Sequence, residues 1–259
     1  MQLQFKQYSE QGAPLVLMHG LFGSLENLGG IARLLAEHYR VFSLDMRNHG
    51  RSPHASTMSL GEMASDVLQF LDQQQLPKAH LLGHSLGGKV MMELALTEPS
   101  RVLSLIVGDI APVDYGEPRH DDVFAGIEAV NPEHILNRSQ ADALLAEHIE
   151  TPSIRSFILK NLERDEHGRY RWRVNVQALR DCYPQLIGAN RNDRQFSGPT
   201  LFIKGEHSNY VTADYREDVV QRFPNAQVKM LAGTGHWLHA EKPELFAKLA
   251  HKFIVDQNA

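Results

Sequence analysis

The residues best suited to chemistry lie in three glycine-rich stretches. Gly83-His84-Ser85-Leu86-Gly87 sets a serine between glycines, Met18-His19-Gly20-Leu21-Phe22-Gly23 closes an apolar run, and Gly233-Thr234-Gly235-His236 carries a histidine towards the C-terminus. A serine hydroxyl attacks a carbonyl effectively only when an imidazole takes its proton, so Ser85 needs a base and His236 is the candidate. The attack creates a negatively charged oxygen, which the backbone N–H groups of Leu21 and Leu86 are placed to receive. G-x-S-x-G is a weak signal alone. Its setting gives it weight, because the apolar AHLLGH (79–84) precedes it and the helix-compatible LGGKVMMELAL (86–96) follows it. A serine on a sharp strand-to-helix turn needs neighbours without a Cβ, and the helix N-terminus presents N–H groups where negative charge develops.

Such stretches matter only if a scaffold brings them to one edge. LVLMH (15–19), RVFSLD (40–45), AHLLGH (79–84) and VLSLIVGD (102–109) read as buried strands. Between them, Ile31, Leu34 and Leu35, and then Met63, Val67, Phe70 and Leu71, recur at helical spacing. The alternation stops for roughly 85 residues and resumes with TLFIKG (200–205), a helical 212–223, QVKMLAG (227–233) and a terminal helix holding Leu245, Phe246, Leu249 and Phe253. This order predicts an α/β fold with a mostly parallel central sheet and flanking helices. The interval predicts a mainly helical cap insertion, since ADALLAEHI and IRSFILKNL carry helical periodicity and a structureless loop of that length is improbable. The expected division is a core of 1–115 and 199–259 with a cap subdomain at 116–198.

Composition narrows the remaining classes. Of 259 residues, 42% are hydrophobic and 22% charged, which fits a globular domain with a sizeable core. No run of 18 apolar residues occurs, and MQLQFKQYSEQG lacks the pattern of a secretory leader, so a soluble cytoplasmic protein without a membrane span is expected. Cys182 is the sole cysteine and precludes an intrachain disulfide. A net charge of −5 offers no basic footprint for nucleic acid. Metal is not expected: His236 and His239 lack a third ligand, and His80 and His84 lie about 13 Å apart along a strand. Gly87-Gly88-Lys89 lacks a phosphate loop, and the chemistry outlined for Ser85 requires no cofactor.

Taken together, His19-Gly20, Asp45-Met46-Arg47-Asn48-His49-Gly50-Arg51-Ser52, the serine turn and Gly235-His236 resemble the α/β-hydrolase superfamily over almost the whole chain. Within it the sequence is most similar to small bacterial carboxylesterases bearing HGLFGS, DMRNHG and DIAPVDY signatures. That resemblance implies a small-molecule acyl ester or acyl thioester as substrate, with acyl-CoA among the candidates. The commonest superfamily pattern puts an aspartate in the turn after TLFIKG, but here that turn reads Gly205-Glu206-His207-Ser208-Asn209, with Ser208 in the expected place of the acid. Asp109, at the end of the preceding strand, is the favoured acid, a location also used in the superfamily; Glu206 is the competitor. Asp45 reads as a brace for its own turn.

Charge patterning in the insertion adds a further expectation. Arg169, Arg171 and Arg173 alternate with Tyr170, Trp172 and Val174, as on a strand with a basic face and an apolar one. That face reads as ordinary solvated surface or as a landing strip for the anionic part of a substrate, with Arg119 competing for the same role. Two further functions stay open: a triad-bearing lyase or carbon–carbon bond hydrolase, and a non-catalytic binding protein on the same fold.

Overall fold

The computed structural model describes residues 1–191 and 193–257. Among them the chain forms β1 (Phe5–Gln7), β2 (Pro14–Met18), α1 (Gly29–Leu35), β3 (Arg40–Leu44), α2 (Leu60–Gln73), β4 (Ala79–His84), α3 (Leu86–Thr97) and β5 (Val102–Gly108). There follow α4 (Asp121–Ala129), α5 (Arg138–Ala146), α6 (Pro152–Leu159), β6 (Leu162–Arg164), β7 (Tyr170–Trp172) and α7 (Val176–Ile187). The chain then returns through β8 (Thr200–Gly205), α8 (Arg216–Arg222), β9 (Ala226–Leu231), α9 (Leu238–Glu241) and α10 (Pro243–Asp256).

Seven strands make one sheet in the order β1-β3-β2-β4-β5-β8-β9. All neighbours run parallel except β1, which pairs antiparallel with β3 at the edge. The two-residue strand period sorts side chains between two cores. Leu15, Leu17, Leu82 and Ile106 meet Ile31 and Leu35 of α1 and Phe246 and Phe253 of α10. Val16, Leu81, Leu105 and Val107 face the opposite cluster, which holds Phe70 of α2 and Met91 of α3 and continues into Phe124, Leu145, Ile158 and Leu179. The segment between β5 and β8 is thus joined to the sheet through one continuous apolar cluster. Among the described residues, no helix is long and apolar enough to cross a membrane.

This topology selects one edge. β2 leads to β3 on one side and its neighbour β4 leads to β5 on the other, so the connections leaving β2 and β4 diverge and open a crevice at the strand C-termini. The loop after β2 begins at His19, and Ser85 follows β4 directly. β5 and β9 end on the same side, delivering Asp109 and the loop that carries His236. β8 lies between them, so the His236 loop crosses over its end. Gly205 makes the crossing possible, because a Cβ there would stand 2.2 Å from the Gly235 carbonyl oxygen.

Candidate active site

Ser85 has φ 52° and ψ −125°, a left-handed turn for a non-glycine residue, held by its own N–H donating to the Gly108 carbonyl at 2.9 Å. The flanking glycines are sterically required. A Cβ on Gly83 would lie 2.2 Å from the Gly87 carbonyl oxygen, and one on Gly87 would lie 2.3 Å from that of Met18. α3 therefore starts pressed against the end of β2, which brings Leu86 beside the His19–Gly23 loop. As the first residue of α3, Leu86 has no intrahelical acceptor for its N–H.

His236 stands between Ser85 and Asp109. Its Nε2 is 3.1 Å from Ser85 Oγ, and its Nδ1 is 2.7 Å from Asp109 Oδ2. Asp109 is fully buried and, like Ser85, has a positive φ, 49°. Both of its oxygens are engaged: Gly205 N–H donates to Oδ1 at 2.9 Å, while the Ser208 hydroxyl and His236 share Oδ2. A buried carboxylate is tolerable only with such a complement of donors. Glu206 lies elsewhere, 42% exposed, where it accepts the Gly233 N–H at 2.7 Å and braces the His236 loop from outside. Ser208 thus occupies the turn position expected of the acid and donates to Asp109 instead.

A set of neutral histidines holds the surrounding loops. His19 accepts the Met46 N–H on Nε2 at 3.1 Å and donates through Nδ1 to the Gly20 carbonyl at 2.8 Å; burial pushes its pKa down to about 4. His49 accepts the Phe22 N–H at 3.1 Å, with its pKa pushed down to about 3 by burial and then by His19. These two imidazoles lock the Gly20–Phe22 loop to the DMRNHGRS turn. That turn is in turn closed by Asp45, whose carboxylate accepts the Leu25 and Arg51 N–H groups at 2.6 and 2.9 Å. His84, kept neutral by burial and by His239 and His236 alongside, donates to the His236 carbonyl at 2.8 Å. Sequence patterning marked His49 and His84 only as members of motifs and gave no sign of these contacts.

A cavity of about 650 Å³ opens over Ser85, between the loops of the sheet edge and the helices of the insertion. Leu21 and His236 line it from below, with Val123 of α4 and Ile154 and Phe157 of α6 across from them. Arg119 lines it too, its guanidinium 4.6 Å from the Tyr115 ring centre and 4.8 Å from that of Tyr210, with Nη1 donating to Asn209 at 3.1 Å. It is held by π faces and an amide rather than by a carboxylate.

The expected arginine face is different in detail. β7 ends at Trp172 and pairs with β6, and Arg169 and Arg171 point outwards to Asp165 and Glu163, at 3.0 and 2.7 Å. Arg173 lies beyond the strand, half-buried, with its N–H donating to the Asn161 carbonyl at 2.8 Å. Nearby acids recruit the first two side chains and packing takes the third. None of the three is among the residues lining the cavity.

Comparison with known proteins agrees with this architecture. The family described as alpha/beta hydrolase fold matches residues 13–243. Esterase YbfF of Escherichia coli is 41% identical over 253 residues, covering 98% of this chain and 97% of that protein. The sn-1-specific diacylglycerol lipase ABHD11 of Mus musculus is 36% identical over 248 residues, covering 93% and 80%. Among solved structures, a marine microorganism esterase superposes with a TM-score of 0.95 at 36% identity, over 97% of this chain and 99% of the other. The relatives are thus ester-hydrolysing enzymes, and the chain belongs to the α/β-hydrolase family.

Proposed function

We propose that this protein is a serine hydrolase that cleaves carboxylic esters or acyl thioesters through an acyl-enzyme on Ser85. The observation that carries the reading is the unbroken line from Asp109 Oδ2 through His236 to Ser85 Oγ, at 2.7 and 3.1 Å. His236 Nε2 accepts the serine proton as Oγ bonds the acyl carbon, and Asp109 keeps Nδ1 protonated and stabilises the imidazolium. The oxyanion rests on the N–H groups of Leu21 and Leu86. His236 then returns the proton to the leaving oxygen or sulfur, and water repeats the sequence to free the acid and Ser85. No step requires a metal or cofactor.

Residues 116–198 serve in this reading as a cap that roofs the reaction. Arg119 is the subsite for an anionic group on the substrate, such as the phosphates of an acyl-CoA, because it lines the cavity and pairs with no carboxylate among the described residues. The test is a screen of p-nitrophenyl esters beside acyl-CoA thioesters, with labelling by a fluorophosphonate, on wild type and Ser85→Ala. Turnover and labelling that both vanish in the variant are expected. Turnover that survives in Ser85→Ala would reject the acyl-enzyme, and the absence of labelling in an active wild type would favour a reaction other than acyl transfer.

A further inference from the structure

Two cavities meet at Ser85. The larger, of about 650 Å³, has His236, Trp237 and His239 on its wall. The smaller, of about 30 Å³, reaches Ser85, Leu21 and Leu86 but not His236. Its far wall is apolar, with Ile110, Leu186 and Ile187 joined by Tyr115 and Lys89, while Arg119, His120 and Tyr210 stand at the border it shares with the larger space.

Reaction geometry gives the two spaces different occupants. A carbonyl carbon under attack by Ser85 carries three groups. Its oxygen must point at the Leu21 and Leu86 N–H groups, and its leaving atom must lie where His236 Nε2 can hand over a proton. The leaving group therefore departs on the His236 side, into the larger cavity. The acyl substituent is left with the smaller one.

We propose that the small cavity is the acyl site and that it makes this protein selective for acetyl and propionyl groups carried on bulky alcohols or thiols, an inference that rests on the Ser85 acyl-enzyme reading. A space of about 30 Å³ admits about two water-sized groups, which matches the methyl of an acetyl group or the ethyl of a propionyl group.

The wall is built to resist widening. Lys89 sits on α3 one turn beyond Ser85, is 1% exposed, and donates to the carbonyls of Val113 at 2.6 Å and Gly188 at 2.5 Å. Val113 lies on the segment leading into the insertion and Gly188 on the segment leading out. The two segments also bond one another, Tyr115 N–H to the Ile187 carbonyl and Asn190 N–H to that of Pro112, both at 3.2 Å. The Asn190 side-chain amide completes the tie by donating to the Lys89 carbonyl at 2.8 Å. Tyr115, Leu186 and Ile187 are thereby fastened to the helix that follows the nucleophile. Moving this backbone to fit a longer acyl chain strains the hydrogen bonds of a buried amino group.

The experiment is a series of p-nitrophenyl acetate, propionate, hexanoate and decanoate, with naphthyl acetate as a bulkier leaving group, on wild type, Leu186→Ala, Ile187→Ala and Ser85→Ala. Wild-type kcat/KM is expected to fall about tenfold or more between propionate and hexanoate, as overfilling a packed site does, while naphthyl acetate reacts as well as p-nitrophenyl acetate. Leu186→Ala, or Ile187→Ala should the first variant fail to fold, is expected to move the optimum to hexanoate. A wild-type optimum at hexanoate or decanoate that depends on Ser85 overturns the acyl assignment and leaves the acyl-enzyme reading standing. An unchanged chain-length profile in the folded alanine variants also overturns it. Turnover that persists in Ser85→Ala overturns the reading beneath.

Discussion

The Tyr210 ring lies 4.0 Å from the His236 imidazole at an angle of 24°, and the Arg119 guanidinium stacks on the same tyrosine at 4.8 Å. Tyr210 therefore links the candidate base to the cation of the cavity. Arg119→Gln is expected to raise KM for an acyl-CoA about tenfold, since a hydrogen bond to a charged group contributes roughly 1.5–3 kcal/mol, while a neutral p-nitrophenyl ester is spared. Added salt should partly mimic the variant. Changing Arg169, Arg171 and Arg173 together to Gln should leave the two substrates equally affected, because Arg169 and Arg171 pair with acids outside the cavity. A selective loss for acyl-CoA in that triple variant would move the anion subsite to the hairpin.

Asp109→Asn is expected to lower kcat by about 10³–10⁴, the scale of losing a triad carboxylate. Ser208→Ala should cost about tenfold, as it removes one of the donors that hold Oδ2 in place. Glu206→Gln should be mild, with the side chain outside the cavity and bonded to the Gly233 N–H rather than to His236 itself. Steady-state kinetics on folded variants check the ranking, and a larger loss for Glu206→Gln than for Asp109→Asn would reverse the assignment of the acid.

Ser85→Ala and His236→Ala should each remove most turnover, and the double variant should be scarcely worse than either, because residues acting as one unit are strongly non-additive. Losses that multiply in the double variant would mean that the two side chains act independently.

The neutral histidines make a prediction about acid. His19 and His49 have folded pKa values pushed from 6.5 down to about 4 and about 3, so the unfolded chain binds protons that the folded chain refuses. Their contribution to stability is complete above pH 6.5 and is lost as pH falls towards those folded values, at up to about 1.4 kcal/mol per pH unit for each group. Urea midpoints measured at pH 7.5 and 5.5 should therefore fall, and His49→Gln should flatten the dependence. Identical slopes for wild type and His49→Gln would show that His49 titrates normally in the folded protein.

Ser85 and His236 were legible in the sequence because each sits in a glycine-rich stretch that must follow a strand, and the strand order follows from simple alternation. Asp109 was legible as the last residue of VLSLIVGD. The contact of Ser208 with Asp109 was not, since a hydroxyl in the turn where a carboxylate is expected can be read only once its neighbours in space are known. β1 and β6 escaped notice because three residues, FKQ and LER, carry no periodicity. The 212–223 stretch also departs from the expected helix: α8 occupies Arg216–Arg222, with a short 3-10 turn at Ala213–Tyr215 before it. Lys89 and Asn190 were invisible for another reason. Their partners are backbone carbonyls far along the chain, and sequence spacing says nothing about which carbonyls a fold leaves unsatisfied.

The crossing of the His236 loop over Gly205 has a consequence for how the protein is made. Leu21, Ser85, Leu86 and Asp109 are all synthesised before the insertion, whereas His236 follows β9, the last strand in the chain and an edge strand of the sheet. Under the proposed mechanism, a nascent chain emerging from the ribosome thus exposes Ser85 long before His236, and a serine without an imidazole is chemically quiet. The same mechanism expects reactivity to begin when β9 docks on β8 and carries the histidine across, so a fluorophosphonate added to stalled chains of increasing length would time the completion of folding.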